Sequence, residues 1–350
     1  MKMFACLSAM VLSASMSLSI QASDPPLRVC ATIPDLGSIV KTIGGDDVAV
    51  TVFARGPQDP HFLEARPSFI KELSAAELLL VNGLDLEVGW APQLWQNARN
   101  GRVLPGAPGF LDASSVVTPL EAAKGPVDRS LGDVHPMGNP HHLLDPLNGL
   151  AVARSIRDRL IELRPESKAL FEKNHAAFSR KIGEALLGEE LARKYDPEKL
   201  AVLLRHGKLE DFLKKQGEEK LLGGWLGRLA PFRGSAVIAD HNVWPYFASR
   251  FGIRIAGFLE PKPGIAPSTN HLASIVKTMQ TGDIRVILSL PYFDRRHAAF
   301  VAEKTGARIA GLAHQCGARP GTEEYFDMVD HNVRELETAY RAGKPEGKSP

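Results

Sequence analysis

The chain of 350 residues has few cysteines and almost no excess of charge. Its formal net charge at pH 7 is +2, from 42 Lys and Arg against 40 Asp and Glu. Proteins that bind nucleic acid or an anionic membrane surface carry a basic patch or a strong cationic excess. We therefore expect no nucleic-acid partner. The three cysteines have no C-x-x-C spacing, which argues against a cysteine metal site.

Two of the cysteines, Cys30 and Cys316, lie almost the whole chain apart. In an oxidising compartment two such residues can form a disulfide. A buried free thiol instead behaves as a small apolar side chain. The sequence leaves both arrangements open.

Long apolar runs are missing except at the N-terminus. Residues 1–22 contain Lys2, a centre of apolar and small residues, and a small residue at Ala22. This pattern is typical of a secretory signal peptide cleaved after Ala22. The run is short and serine-rich for a membrane span of about 20 apolar residues, and Cys6 lies too early for a lipid attachment site. The sequence predicts export.

Strand-like and helix-like segments alternate over most of the remaining chain. Runs such as LRVCATIP, VAVTVFA and GSAVIADH predict buried strands, and amphipathic helical patterns follow them. This alternation predicts an α/β fold with parallel sheets and helices on both faces. We predict two α/β lobes, an N-terminal one over 23–160 and a C-terminal one over 196–340, with a helical insertion at 196–232.

Two helical patterns in succession interrupt this alternation between the lobes. Apolar residues recur at helical spacing from Pro165 to about Leu187, and proline suits the first turn of a helix. A helix of about 25 residues spans roughly 37 Å, enough to run along both lobes. We predict a single long linking helix over 161–195, and a disordered tail over 341–350.

Four of the 11 histidines lie at predicted strand ends or in similarly restricted loops: His61 in DPHFLEARPS, His141 in GNPHHLLDP, His241 at the end of GSAVIADH, and His314 after ARIAGLA. Ligands of open α/β sheets gather at loops that follow the carboxyl ends of strands. Prolines next to the first two histidines restrict the backbone there. We therefore predict that the four imidazoles converge on the cleft between the lobes.

The donor type points to the kind of ion. Imidazole nitrogens favour zinc and similar transition ions, whereas manganese and magnesium prefer more carboxylate. Four protein ligands complete a tetrahedral zinc shell. His142 is expected to point away from the cleft beside its neighbour, and His135 is expected to contact a metal only transiently.

Five segments, in this order, resemble the metal-binding solute receptors of bacterial zinc and manganese ABC importers: QDPHFLEARPS, GNPHHLLDP, ADHNVWPYFASRFG, EPKPGIAPSTNHL and RPGTEEYFDMVDHN. The resemblance covers about residues 27–340. The D-P-H…P-S and N-P-H-x-x-L-D-P motifs in that order are specific to the family. The resemblance implies two α/β lobes joined by one long helix, with the metal at their interface.

The resemblance also implies a ligand set. The first three ligands correspond to His61, His141 and His241, and histidine rather than glutamate at the third position is the pattern of zinc receptors. The fourth ligand in the family is commonly a carboxylate in a short loop after a late strand. Aligning that loop places His314 at or beside this position, with Glu260 or a water molecule as alternatives. The loop before the second ligand is short and poor in histidine compared with many zinc receptors.

The expected function is binding of Zn²⁺ in the periplasm and its delivery to the membrane permease of an ABC importer. We expect a monomer, and loading by a periplasmic metallochaperone is left open. One alternative is an exported zinc hydrolase, which needs an open coordination position and a general base. Neither H-E-x-x-H nor G-x-S-x-G occurs, so no enzyme is expected. A manganese receptor or an adhesin of the same fold is the other alternative.

Overall fold

The computed structural model describes residues 25–123, 125, 135–262 and 264–342. In this part of the chain, eight strands form two separate four-stranded sheets. The predicted signal peptide, 1–22, lies outside the described residues. No helix in the described ranges has the length and apolar composition of a bilayer span.

The first sheet belongs to the N-terminal lobe and has the order β2-β1-β3-β4, with all neighbours parallel. Its strands are β1 (Leu27–Ala31), β2 (Val48–Val52), β3 (Leu78–Val81) and β4 (Phe110–Asp112). Helices α1 (Pro34–Gly44), α2 (Pro67–Ala75) and α3 (Ala91–Ala98) connect them. All four side chains of β3 are buried, as expected for an inner strand of a parallel sheet covered on both faces.

Two helices, α4 (Pro146–Leu163) and α5 (Lys168–Leu187), follow the first sheet and pack against each other. The linking helix predicted over 161–195 is shorter in the structure. Arg164 leaves the helical region with φ −142° and ψ 71°, because proline at the next position disfavours helical geometry. At its other end α5 stops at Gly188, whose φ of 95° is readily adopted only by glycine.

The segment after α5 is helical, including the range 196–232 that was predicted as an insertion. It contains α6 (Glu189–Lys194), α7 (Pro197–Arg205), α8 (Leu209–Gln216) and α9 (Gly224–Leu229). Helix α5 contacts both α1 and α9. It therefore joins the first lobe to the helical segment.

The second sheet has the order β6-β5-β7-β8 and is also parallel. It comprises β5 (Ala236–Ala239), β6 (Arg254–Phe258), β7 (Val286–Ser289) and β8 (Arg308–Gly311). Its helices are α10 (Pro245–Phe251), α11 (Thr269–Thr281), α12 (Arg295–Thr305) and α13 (Tyr325–Ala342). The last helix extends two residues into the predicted tail, and residues 343–350 lie outside the described part. The predicted fold class of two parallel-sheet α/β lobes is confirmed.

One buried apolar cluster runs through both lobes. It includes Leu36 of α1, Ile156 of α4, Phe171 of α5, Val237 of β5 and Val333 of α13. Burial of apolar surface stabilises such contacts by about 25 cal/mol per Å². The two lobes are therefore held together by shared packing as well as by the chain that connects them.

Cys30 and Cys316 are separate buried thiols in the structure. Cys30 lies on β1 and Cys316 follows β8, and both are free. Burial, with a smaller contribution from the charge of Glu72, raises the pKa of Cys30 to about 12. Of the two arrangements left open by the sequence, the structure has the unpaired one.

Candidate metal centre

The predicted ligands come from four loops of the two lobes. His61 lies in the loop between β2 and α2, and His141 directly precedes a 3₁₀ turn that leads into α4. His241 follows β5, and His314 follows β8. His61, His141 and His314 are at most 8% exposed. The four residues thus occupy the loop positions that the sequence predicts.

The ring of His61 lies at the centre of a group of imidazoles. Its centroid is 5.1 Å from that of His135, 5.3 Å from that of His141 and 6.5 Å from that of His241. Imidazoles that share one tetrahedral zinc through Zn–N bonds of about 2.0–2.1 Å have centroids about 5 Å apart. Among the described residues, no group of three or more His, Cys, Asp or Glu side chains is placed so that it could hold a metal ion as it stands. The centroid distances are near the spacing of rings that share an ion. Binding one ion therefore requires the rings to reorient.

The imidazole of His61 is oriented by Asp59. Its Nδ1 lies 2.7 Å from Asp59 Oδ1, which also accepts the backbone N–H of His61 over 3.0 Å. Burial by itself raises the pKa of Asp59, but its bonds to His61 outweigh burial and hold that pKa below its ordinary value. The ionised carboxylate accepts Nδ1–H, so Nε2 carries the lone pair that a metal can use.

His241 has the same arrangement in the other lobe. Its Nδ1 lies 2.7 Å from Oε2 of Glu260, which follows β6. The ring stacks on Phe293 with centroids 5.7 Å apart. Nε2 is therefore the metal-capable nitrogen here as well. Glu260, considered from sequence as a fourth ligand, bonds to His241 in this structure.

His141 is a neutral imidazole at physiological pH. Burial, followed by the charges of nearby histidines led by His61 and His241, lowers its pKa well below the ordinary value. Its backbone N–H donates to Asn139 Oδ1 over 3.0 Å. A neutral ring in a fixed loop is suited to donate a lone pair to an ion.

His314 presents an unpaired nitrogen inside the protein. Its Nε2 lies 3.0 Å from the carbonyl oxygen of Gln58 and therefore carries the proton. Its Nδ1 is buried and has no hydrogen-bond partner among the described residues, an arrangement that costs about 1–3 kcal/mol. Burial lowers the pKa of His314 to about 4. With His141 it lines a small pocket of about 20 Å³. The unpaired lone pair fits a site for a cation.

The sequence model of one family, described as zinc-uptake complex component A, periplasmic (ZnuA), matches residues 29–219 and 219–339. The chain belongs to this family. It is a substrate-binding protein of the metal ABC transporter type.

Two relatives of this ZnuA-family chain carry names that refer to a metal or to manganese. The metal ABC transporter substrate-binding lipoprotein SloC of Streptococcus mutans is 25% identical over 335 residues, which cover 95% of each chain. The manganese-binding lipoprotein MntA of Halalkalibacterium halodurans is 23% identical over 310 residues, 88% of this chain and 86% of the relative. A crystal structure of ZnuA has a TM-score of 0.65 and 22% identity, and covers 90% of this chain and 99% of its own. That likeness concerns the fold.

His135 lies closer to His61 than its place in the sequence predicts. Its Nε2 lies 3.1 Å from His61 Nε2, and two nitrogens on one tetrahedral zinc lie about 3.3 Å apart. The only signal in the sequence was its place in the loop before His141. His142 donates through Nε2 to the carbonyl oxygen of Asn82 over 3.0 Å, away from the group around His61, in agreement with its predicted orientation.

A surface cleft lies next to His61. A cleft of about 340 Å³ is lined by His61, Phe62, Asp85 and Val88, among others. Phe62 and Val88 are 73% and 65% exposed.

Proposed function

We propose that this ZnuA-family protein captures Zn²⁺ in the periplasm and delivers it to the permease of an ABC importer. The proposed ligands are His61, His141, His241 and His314. Export by residues 1–22, a monomeric state and loading by a metallochaperone remain predictions from the sequence.

The matched pair of His61 and His241 carries the proposal. One comes from each lobe, and each has its Nδ1 bonded to a carboxylate oxygen at 2.7 Å. A carboxylate on Nδ1 fixes the tautomer and the ring direction and raises the basicity of Nε2. Such pairs are typical of histidines that bind metals, and here they supply one ligand from each lobe.

The preference for zinc rests on the type of donor. The proposed ligands are all imidazole nitrogens, which suit zinc, whereas manganese prefers carboxylate and other oxygen ligands. The two carboxylates next to the site, Asp59 and Glu260, are bonded to ring nitrogens. As hydrogen-bond acceptors they raise the basicity of the imidazole donors and do not themselves serve as ligands.

The fourth ligand is proposed to be His314 through Nδ1. That atom is buried and unpaired, so binding an ion removes the cost of leaving it without a partner. His135 is the competing donor because of its 3.1 Å approach to His61. Substitution of each residue separately decides between them.

The test is metal analysis of the mature protein followed by competition titrations with Zn²⁺ and Mn²⁺. Each of the alanine variants His61→Ala, His141→Ala and His241→Ala should bind zinc much more weakly than wild type. The exposed His206, substituted by alanine, is the control and should bind like wild type. His314→Ala should weaken binding more than His135→Ala, and the reverse order assigns the fourth position to His135.

The second candidate is a manganese receptor, which the name of the relative MntA favours. A wild-type protein that retains manganese in the presence of equal zinc contradicts our proposal and supports this alternative. Binding of neither ion contradicts both.

A further inference from the structure

The segment that carries His141 is held by the second lobe at its C-terminal end. Arg250 of α10 forms two parallel hydrogen bonds to the carboxylate of Asp145, Nε to Oδ1 at 2.8 Å and Nη2 to Oδ2 at 2.7 Å. The two side chains are only 15% and 9% exposed. Asp145 Oδ1 also accepts the N–H of Leu147 at the start of α4. A bidentate pair of this kind fixes orientation as well as distance.

The N-terminal end of the same segment is held by Asn139. Its Oδ1 accepts the backbone N–H of His141 over 3.0 Å, and its Nδ2 donates to the carbonyl oxygen of Asn242 over 2.8 Å. The opposite orientation of the amide would place a donor against a donor and an acceptor against an acceptor. Because Asn242 directly follows His241, one side chain links the backbones of two proposed ligands from different lobes.

Tyr246 completes this contact between the lobes. Its hydroxyl donates to the carbonyl oxygen of Asn139 over 3.0 Å and accepts the N–H of Leu120 over 2.9 Å. Tyr246 and Arg250 are four residues apart on α10 and therefore share one face of the helix. That face binds the His141 segment at both ends.

We propose that Asn139 and Arg250 are positioning residues that fix the separation of the His141 and His241 imidazoles and thereby favour zinc over manganese. The inference rests on the proposed zinc function. Zinc needs short bonds of about 2.0–2.1 Å in a four-coordinate shell, whereas manganese prefers oxygen donors, often in a six-coordinate shell. If the two imidazoles cannot move apart, a six-coordinate shell with oxygen donors is disfavoured. Loosening it should change the selectivity of the site and not only its strength.

The experiment compares Asn139→Ala, Asn139→Asp and Arg250→Lys in the mature protein. Asn139→Asp keeps the acceptor for the His141 N–H and loses the donor to Asn242. Arg250→Lys keeps the charge and loses the paired geometry. The control is Arg228→Lys, since Arg228 also makes two hydrogen bonds to carboxylate oxygens, one to Asp330 at 3.2 Å and one to Glu337 at 2.8 Å, within the second lobe.

Two quantities are measured: the ratio of zinc to manganese affinity by competition, and the visible absorption of bound Co²⁺, which is stronger in tetrahedral than in six-coordinate sites. We expect the three variants to lower the affinity ratio at least about tenfold, the lower end of effects from residues that orient metal ligands. We also expect weaker Co²⁺ absorption in these variants. Arg228→Lys should leave both quantities unchanged.

Loss of zinc and manganese affinity by the same factor would show that these residues only support the fold, and would overturn the inference. The same holds if Asn139→Asp binds like wild type or if Arg250→Lys matches the Arg228 control. A wild-type protein that binds neither ion overturns the proposed function and this inference together. A wild type that prefers zinc, with variants that keep the same preference, overturns only the inference.

Discussion

The indole of Trp90 bonds the loop that carries His61. Its Nε1–H donates to the carbonyl oxygen of Pro60 over 3.0 Å, in a buried position. Pro60 directly precedes His61, so this bond restrains the backbone of the first proposed ligand. Trp90 directly precedes α3, so the restraint comes from a residue outside the loop.

Replacing this indole should loosen the loop. Trp90→Phe keeps an aromatic side chain and removes the donor to Pro60. Leaving a buried acceptor without its partner costs about 1–3 kcal/mol, so unfolding should occur at lower denaturant concentration. Zinc affinity should fall as well, because an unrestrained His61 loses more freedom on binding. Trp95→Phe is the matched control, and equal zinc affinity in the two variants would contradict the role of the Pro60 bond.

The carboxylate of Asp59 should strengthen zinc binding without touching the ion. Asp59→Asn retains an oxygen acceptor but removes the charge that favours the Nδ1–H tautomer of His61. We expect zinc affinity to fall about 10–100-fold, measured by competition with a chelator. Asp294→Asn is the control, since Asp294 accepts the N–H two residues later in the same way on the surface of the second lobe. A similar small effect of both substitutions would contradict the assignment.

Asp35 gives a prediction for stability against pH. Burial is the main reason that its pKa rises to about 7. Because this folded-state value lies above the ordinary 3.8, the folded protein binds more protons between about pH 4 and 7, and stability falls as pH rises through that window. Asp35→Asn mimics the protonated form and can still accept the N–H of Cys316. The free energy of unfolding of the variant minus that of wild type should therefore increase by up to about 4 kcal/mol from pH 4 to pH 8.

Denaturant titrations of the metal-free protein at the two pH values measure this difference. The exposed Asp46, substituted by asparagine, should show no comparable change. A difference between wild type and Asp35→Asn that stays constant from pH 4 to pH 8 would contradict the assigned titration.

Zinc should raise the melting temperature, and a chelator should reverse the effect. An ion that binds only the folded state stabilises it by about 2.7 kcal/mol at a free concentration of 100 times Kd. His241→Ala should lose this shift, whereas His206→Ala should keep it. An equal shift in both variants would place the zinc elsewhere.

The shared core of the two lobes should limit their movement on binding. The same buried cluster includes Leu36 of the first lobe and Val237 of the second, and separating such residues exposes apolar surface. We expect the X-ray scattering profiles of metal-free and zinc-bound protein to be nearly the same. A marked decrease in the radius of gyration would instead indicate closure of the lobes about a hinge.

The sequence was sufficient for the fold class, and it predicted the loops of the candidate site. Strand and helix periodicities are local, so they predicted alternating elements and parallel sheets. The positions of His241 and His314 shortly after strands, and of His61 and His141 in loops restricted by proline, are local too, and they predicted the four candidates. The prediction was poorest for the linking helix, since its breaks depend on the backbone geometry at Arg164 and Gly188.

The sequence by itself determined which side chains stand in which loops, and therefore the prediction of a nitrogen-rich metal site. Only the tertiary structure decided which atoms meet. The approach of His135 to His61 joins residues 74 positions apart, and the pair of Arg250 with Asp145 joins residues 105 positions apart. Such contacts depend on how the two lobes and their loops pack against each other. Local periodicity carries no information about that packing, because it records which face of an element is buried and not what buries it.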